Sequence, residues 1–295
     1  MTVLGLGTVQ LGAAYGVSNR SGRPSEAEAE AILERALDRG IETIDTAPAY
    51  GEAEALLGRL LPPGADVRIV TKIGPLAGSE VSAADCDEAW RSAERSLERL
   101  RRDRLDTLLV HHGSDLALPG GERLAEKVIG LREAGLAGRI GVSVYDREEI
   151  DVSRRLLPLE VVQFPLNVLD QRLLRDGILA ELHEEGVELH ARSAFLQGLL
   201  LMDPEDLPAH LSGASEQLRR YHEARRVAGL MPIEAALGFL RAGGAVDVAL
   251  VGINSVNELE ECAKAMTTTI PADLDFASLA TDDPSLIDPR KWASP

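Results

Sequence analysis

Apolar runs too short for helices alternate with longer stretches of helical period along this chain. The runs are Val3–Gly7, Thr43–Asp45, Val67–Lys72, Thr107–His111, Ile140–Val144, Glu160–Gln163, Val187–Ala191 and Val246–Val251. Their Val, Ile and Leu content, bounded by turn and cap residues, predicts buried strands. Between the first two, Ala31, Ile32, Leu33, Ala36 and Leu37 recur at helical spacing after an N-capping Ser25, and Gly40 ends that helix. Further helices are predicted over Glu52–Leu61, stopped by Pro62 and Pro63, and over Ala84–Leu100, Arg123–Ala134, Arg147–Leu157, Leu173–Glu185, Pro232–Ala242 and Val256–Met266. Eight strand–helix units at this spacing imply parallel strands joined by crossover helices. They favour a closed (β/α)8 TIM barrel over an open doubly wound sheet, which would carry a phosphate loop after its first strand. Gly5 and Gly7 instead lie inside that strand, and the spacing to Gly12 is wrong for such a loop.

Two segments fall outside the alternation. Met202–Gly229 is long and polar, with one helix expected over Ser215–Arg226; it follows the seventh strand and so belongs to the rim at the strands' C-terminal ends. Residues 271–295 form a proline- and acid-rich tail after a barrel of residues 1–270, expected as an extended wrap or a partly mobile segment.

Composition narrows the function classes. A chain of 295 residues, 45% hydrophobic, suffices for one barrel with a full core. A net charge of −17 argues against nucleic acid or an anionic membrane as partner. The acids are dispersed over helices, where they favour solubility. Cys86 and Cys262 are far apart, with no CxxC or Cys/His ligand cluster, so neither a disulfide framework nor a structural zinc is expected. The start, MTVLGLGTVQLG, lacks the pattern of a signal peptide, and no apolar run is long enough for a bilayer, so a cytoplasmic location is expected. Nothing here indicates the oligomeric state.

Three strands end on ionisable residues. IDTAPAYG carries Asp45 at its strand end and Tyr50 one tight loop later; IVTK ends on Lys72, and LLVHH on His111 and His112. In a parallel barrel the C-terminal rim is where chemistry is done, so four proton-handling groups converge there. A tyrosine, with an ordinary pKa of about 10, is a poor acid at neutral pH, and a nearby ammonium such as Lys72 would lower that value. A buried lysine needs a carboxylate, which Asp45 is placed to provide. His111 can hydrogen-bond a substrate carbonyl oxygen. Taken singly, each residue has a plainer reading: a helix cap, a solvated lysine, a packed tyrosine, a rim histidine pair. Three consecutive strand ends make the combined reading the stronger one.

The segments GLGTVQLG, IDTAPAYGEAEALLG, IVTKIG, LDTLLVHH, GRIGVSVYD, VVQFPLN, ARSAFLQGLL and VGINSVNELEE together resemble the aldo-keto reductase family, in register from the first strand to about Met266. The resemblance implies Asp45, Tyr50, Lys72 and His111 as the catalytic group, with His112 one step outward toward substrate. It implies a nicotinamide cofactor across the barrel mouth and hydride transfer to or from a small carbonyl or hydroxyl compound. Asp45 and Ser143 resemble residues that hold ribose and carboxamide, and Gln163 the glutamine that fixes the carboxamide. Ser193, Gln197, Gly198 and Leu199 match a pyrophosphate loop. Gly252, Asn254, Ser255 and Glu258 begin the adenosine end.

Departures qualify this picture. Val144 stands where the family often has Asn. Arg192 stands where it usually stacks an aromatic ring on the nicotinamide; Arg192 could stack, reach a substrate carboxylate or phosphate, or pair with a rim acid. The family favours NADPH, but the loop Ile253–Glu258 holds no cation for a 2′-phosphate and ends on an acid. Both cofactors stay open, with NADPH/NADP marginally ahead of NADH/NAD. The upstream hairpin that commonly plugs the barrel floor is expected to be absent or reduced. Gln10, His112, Asn167 and Arg192 offer polar contacts, and the 3% aromatic content speaks against a greasy pocket, so a sugar-like or carboxylated substrate is expected. Two other readings compete. One is a cofactor-sensing regulatory or scaffold protein on the same fold. The other is a metal-dependent hydrolase, which would need more strand-end His and carboxylate ligands than His111 and His112 supply, so no metal site is assigned.

Overall fold

The computed structural model describes residues 1–292. Its eight strands are β1 (Val3–Gly7), β2 (Thr43–Asp45), β3 (Arg68–Ile73), β4 (Leu105–Val110), β5 (Ala137–Ser143), β6 (Val161–Pro165), β7 (Glu188–Arg192) and β8 (Val248–Gly252). All neighbours are parallel, and β8 closes onto β1 from Val3↔Val248 to Gly7↔Gly252. This is the (β/α)8 barrel expected, with the apolar core between the sheet and the surrounding helices.

Strand alternation explains how the barrel interior is filled. Successive side chains point to opposite faces, so residues two apart share the interior. Arg68, Val70 and Lys72 lie on one face of β3, and Arg139, Gly141 and Ser143 on one face of β5. The same spacing relates Glu188, His190 and Arg192 on β7. The floor layer is charged. Glu188 accepts from Arg139 at 2.5 Å, from Arg68 at 3.1 Å and meets His190 Nε2 at 2.7 Å. Thr43 and Thr107 accept from the two guanidinium groups. Above them Val70, Leu109 and Val161 form a small apolar layer. The floor of the barrel is thus filled by these side chains.

Several elements differ from their sequence expectation. The helix expected over Leu173–Glu185 is two, Arg172–Arg175 and Ile178–Glu184, because Gly177 takes a left-handed φ of 82° and Asp176 caps Ile178. A one-turn helix, Val9–Gly12, follows β1. The rim segment holds a helix over Ser215–Val227, anchored where the buried Tyr221 hydroxyl donates to the Pro232 carbonyl at 2.6 Å. The tail is not extended. It makes short helical turns at Ala277–Leu279, Pro284–Ile287 and Pro289–Lys291, and is bonded to the rim through Thr281 N–H to Leu169 O and Gln171 Nε2 to Phe276 O. Its last three residues, 293–295, lie outside the described residues. No helix of the described residues is long and apolar enough to cross a membrane.

Candidate active site

The C-terminal rim opens on a cavity of about 490 Å3, within the range of about 300–1,000 Å3 usual for ligand pockets. Asp45, Tyr50, His111, Ser143, Gln163 and Arg192 line it, and Lys72 lies just behind. Lys72 is 1% exposed; its Nζ contacts Asp45 Oδ1 at 2.6 Å and donates to Thr46 O at 3.0 Å. Gln163 reaches over from β6 to donate to the same Asp45 oxygen at 2.7 Å. Register accounts for this convergence: Asp45 pairs with Gly7 and Val70, and Ser143 with Gln163, so the strand ends are level.

Tyr50 is set by a close backbone contact rather than by side-chain bonds. A Cβ on Gly12 would fall 1.7 Å from the Tyr50 carbonyl oxygen, and one on Gly51, at φ 57°, would fall 2.5 Å from Gly12 O. The one-turn helix after β1 therefore seats directly on the Tyr50 loop. Lys72 Nζ sits 5.0 Å from the Tyr50 ring centroid, and the His111 ring meets Tyr50 edge-on at 6.0 Å.

Electrostatics correct one expectation. Burial, then the Asp45 carboxylate, raise the Tyr50 pKa above the ordinary phenol value, and the cation that opposes them is Arg192 rather than Lys72. Burial likewise lowers the Lys72 ammonium, with Asp45 opposing. His111 is pushed down to about 2 by burial, then by Lys72, His112 and Arg192, so its imidazole is neutral. Its Nδ1 is buried with no partner, as is Gln10 Oε1, so two polar groups at this cavity have unfilled hydrogen-bonding capacity.

The rest of the cavity comes from three loops. After β7, Ser193, Leu196 and Gln197 have φ of 61°, 48° and 55°, followed by Gly198 at 94°. A left-handed non-glycine residue costs roughly 1–2 kcal/mol, and such strain gathers where backbone geometry serves a ligand. Val17 N–H donates to Gln197 O at 3.0 Å, and Asn19 Nδ2 to Asn254 Oδ1 at 3.3 Å, so the loops after β1, β7 and β8 are bonded together. At the β8 end Glu258 accepts from Asn254 N at 2.7 Å and lines the cavity with Glu261, Gly252 and Asn254.

Gln10, His112, Ser193, Gln197 and Gly198 also line the cavity, as expected. Besides Lys72, three expected residues do not. Asn167 is fully buried; its Oδ1 accepts from Leu169 and Asp170 N–H and its Nδ2 donates to Ser193 O, so it closes a turn rather than facing a substrate. Leu199 is packed in the core. Ser255 caps its helix by accepting from Glu258 N. Arg192 pairs with no rim acid among the described residues; it stacks 4.1 Å over Tyr145 and donates to Val144 O at 3.1 Å. Tyr15, Asn19, Tyr145, Phe195 and Glu261 line the cavity and were missed. Tyr145 was the one within reach, two residues after Ser143 in GRIGVSVYD; the others sit on loops whose course periodicity does not report.

A nicotinamide cofactor fits these features. The cavity is lined by the Asp45–Tyr50 rim, by Ser193 and the strained loop backbone after β7, and by the end of β8, where the unpartnered Gln10 oxygen lies against Gly252.

Comparison with known proteins agrees. The chain is 28% identical over 208 residues to the aldo-keto reductase YhdN of Bacillus subtilis, a match covering 67% of this chain and 59% of that one. It is 26% identical to L-galactose dehydrogenase of Arabidopsis thaliana, over 100% of this chain and 94% of that one. A holo aldo-keto reductase from Bacillus halodurans has the same fold, with a TM-score of 0.74 over 94% of this chain and 92% of the other at 20% identity. The description Aldo/keto reductase family matches residues 3–279, and the chain belongs to that family.

Proposed function

We propose that this protein is a nicotinamide-dependent oxidoreductase that interconverts a small polar carbonyl compound and its alcohol, with Tyr50 as general acid and base. The observation that carries the reading is the buried Asp45–Lys72 pair behind Tyr50, in one cavity with the unpartnered His111 nitrogen. When bound, the nicotinamide would supply or accept the hydride. His111, neutral at physiological pH, can offer one N–H to the carbonyl oxygen without placing a second full charge there. Tyr50 keeps its proton in the free enzyme and passes it to that oxygen as negative charge develops, leaving a phenolate that Arg192 stabilises, with the paired Lys72 ammonium 5.0 Å from the ring. Asp45 holds Lys72 in place, and Gln163 holds Asp45. In the oxidative direction the same phenolate takes the proton from the alcohol.

We read the cofactor as NADH rather than NADPH, reversing the slight preference drawn from family resemblance. Glu258 and Glu261 line the β8 end, and Arg192, at the other end, is the only Lys or Arg lining the cavity among the described residues. A 2′-phosphate would meet carboxylates there, whereas Glu258 can accept from a ribose hydroxyl. The polar lining, and a relative named for L-galactose, support a sugar-like substrate.

Tyr50→Phe tests the reading directly. It removes the proton and little volume, so aldehyde reduction by saturating NADH should fall by about 10²–10⁴-fold while the Kd for NADH changes little. Undiminished turnover in this variant would refute Tyr50 as the acid.

A further inference from the structure

Arg192 is a cation without a counterion in a strongly acidic protein. The chain carries 48 Asp and Glu against 31 Lys and Arg, and most of its arginines near the rim have acids beside them. Arg192 pairs with none among the described residues, although it stands half-buried in the mouth of the cavity. Its orientation is held from one side. The guanidinium stacks on Tyr145, whose ring also carries Arg290 at 3.4 Å, and Arg290 is neutralised by Asp288 through two bonds of 2.9 and 2.8 Å. One Arg192 nitrogen donates to Val144 O at 3.1 Å, and another makes a long contact of 3.5 Å with Ser193 Oγ. An arginine has five N–H donors, so most remain for a ligand.

The charge balance of the mouth points the same way. Asp45 and Lys72 pair with each other, and no carboxylate among the described residues forms an ion pair with Arg192; Glu149 is near enough to feel its charge but accepts from the Tyr145 N–H instead. Leaving a guanidinium half-buried and unpaired is unfavourable unless an anion completes it. A planar fork held by stacking suits a carboxylate or phosphate, which it can bind through two parallel bonds. His112, half-buried on the neighbouring wall of the same cavity, is free to add a hydrogen bond.

We propose that Arg192 is the specificity-determining residue for an anionic substrate: a small aldehyde or ketone bearing a carboxylate or phosphate, its carbonyl at Tyr50 and His111 and its anionic group on the guanidinium. This rests on the hydride-transfer reading above, and the test separates the two. Matched pairs are compared with NADH: glyceraldehyde 3-phosphate against glyceraldehyde, and succinic semialdehyde against butanal. The wild-type kcat/KM should favour at least one anionic member by about 10- to 100-fold, the size of one charge-assisted contact. A preference only in the first pair identifies a phosphate, and only in the second a carboxylate. Arg192→Met should bring the ratio to near one, and Arg192→Lys, which keeps the charge without the fork, should give an intermediate ratio. In parallel, succinate and inorganic phosphate are titrated into the enzyme–NADH complex by nicotinamide fluorescence; one of them should bind to wild type and be lost in Arg192→Met. Equal kcat/KM within both pairs would overturn the anion site and leave hydride transfer standing. So would a fall in NADH affinity as large as the fall in selectivity, because Arg192 would then serve the cofactor. NADH binding with no reduction of any of the four compounds, beside intact succinate or phosphate binding, would count against hydride transfer and not against the anion site.

Discussion

Tyr50 and His111 are set by desolvation more than by any neighbouring charge. Burial keeps the phenol protonated beyond its ordinary range and the imidazole neutral, so both stand in the forms that carbonyl reduction needs. The consequence for pH is specific. An acid with a raised pKa stays competent as pH rises, and a histidine already neutral contributes no limb near its usual value. The kcat/KM for reduction should therefore be flat from about pH 6 to about pH 9. An inflection near pH 6.5 that disappears in His111→Gln would contradict the neutral imidazole. Asp45, Lys72 and His111 were legible because each ends an apolar run, which places it on the rim whatever the loops do. Asn167 was misread because its type suits both a turn and a substrate, and only the three-dimensional turn shows its oxygen closing back on Leu169 and Asp170. The effect of Lys72 on Tyr50 was misjudged for a related reason: adjacency of strand ends does not reveal how much water the phenol has lost.

At the scale of elements, the one-turn helix Val9–Gly12 joins the first strand to the proposed chemistry. It is too short to leave a periodic signal, which is why sequence reading passed over it. Its last residue touches the Tyr50 backbone with no room for a side chain. Gly12→Ala must push the Tyr50 loop outward. Overpacking of this kind costs about 1–3 kcal/mol, and a shift of about 1 Å at a reacting group can cost about 100-fold in rate. The expected outcome is a lowered Tm with a fall in kcat larger than the change in NADH affinity; unaltered kcat at full occupancy would show that this contact does not place Tyr50. The strand and helix order was legible because eight units repeat one pattern. The break at Gly177 and the turns of the tail were less so, since they depend on a left-handed glycine and on bonds to distant carbonyls such as Leu169 O.

Across the whole molecule, the barrel is held at both ends of its interior by charge. The floor was readable in principle: Arg68, Arg139 and Glu188 stand four residues before Lys72, Ser143 and Arg192 on the same strand faces. Burial raises the Glu188 pKa, but bonds from His190 and Arg139 outweigh it and hold the carboxyl below the ordinary range. A lowered folded-state pKa contributes stability above the unfolded value of about 4.3, and that contribution fades as pH falls toward the folded value. Glu188→Gln leaves two arginines sharing a neutral amide. It should lower stability at neutral pH by about 1–3 kcal/mol, read as a lower urea midpoint at unchanged slope, with the difference shrinking in acid. An unchanged midpoint at neutral pH would mean that the floor is closed by packing alone. The central claim, a nicotinamide site running from Tyr50 to Glu258, is tested most directly by titrating the protein with NADH and with NADPH, following cofactor fluorescence. Saturable binding with NADH the tighter, reversed in Glu258→Arg, is the result expected. Binding of neither cofactor would contradict it.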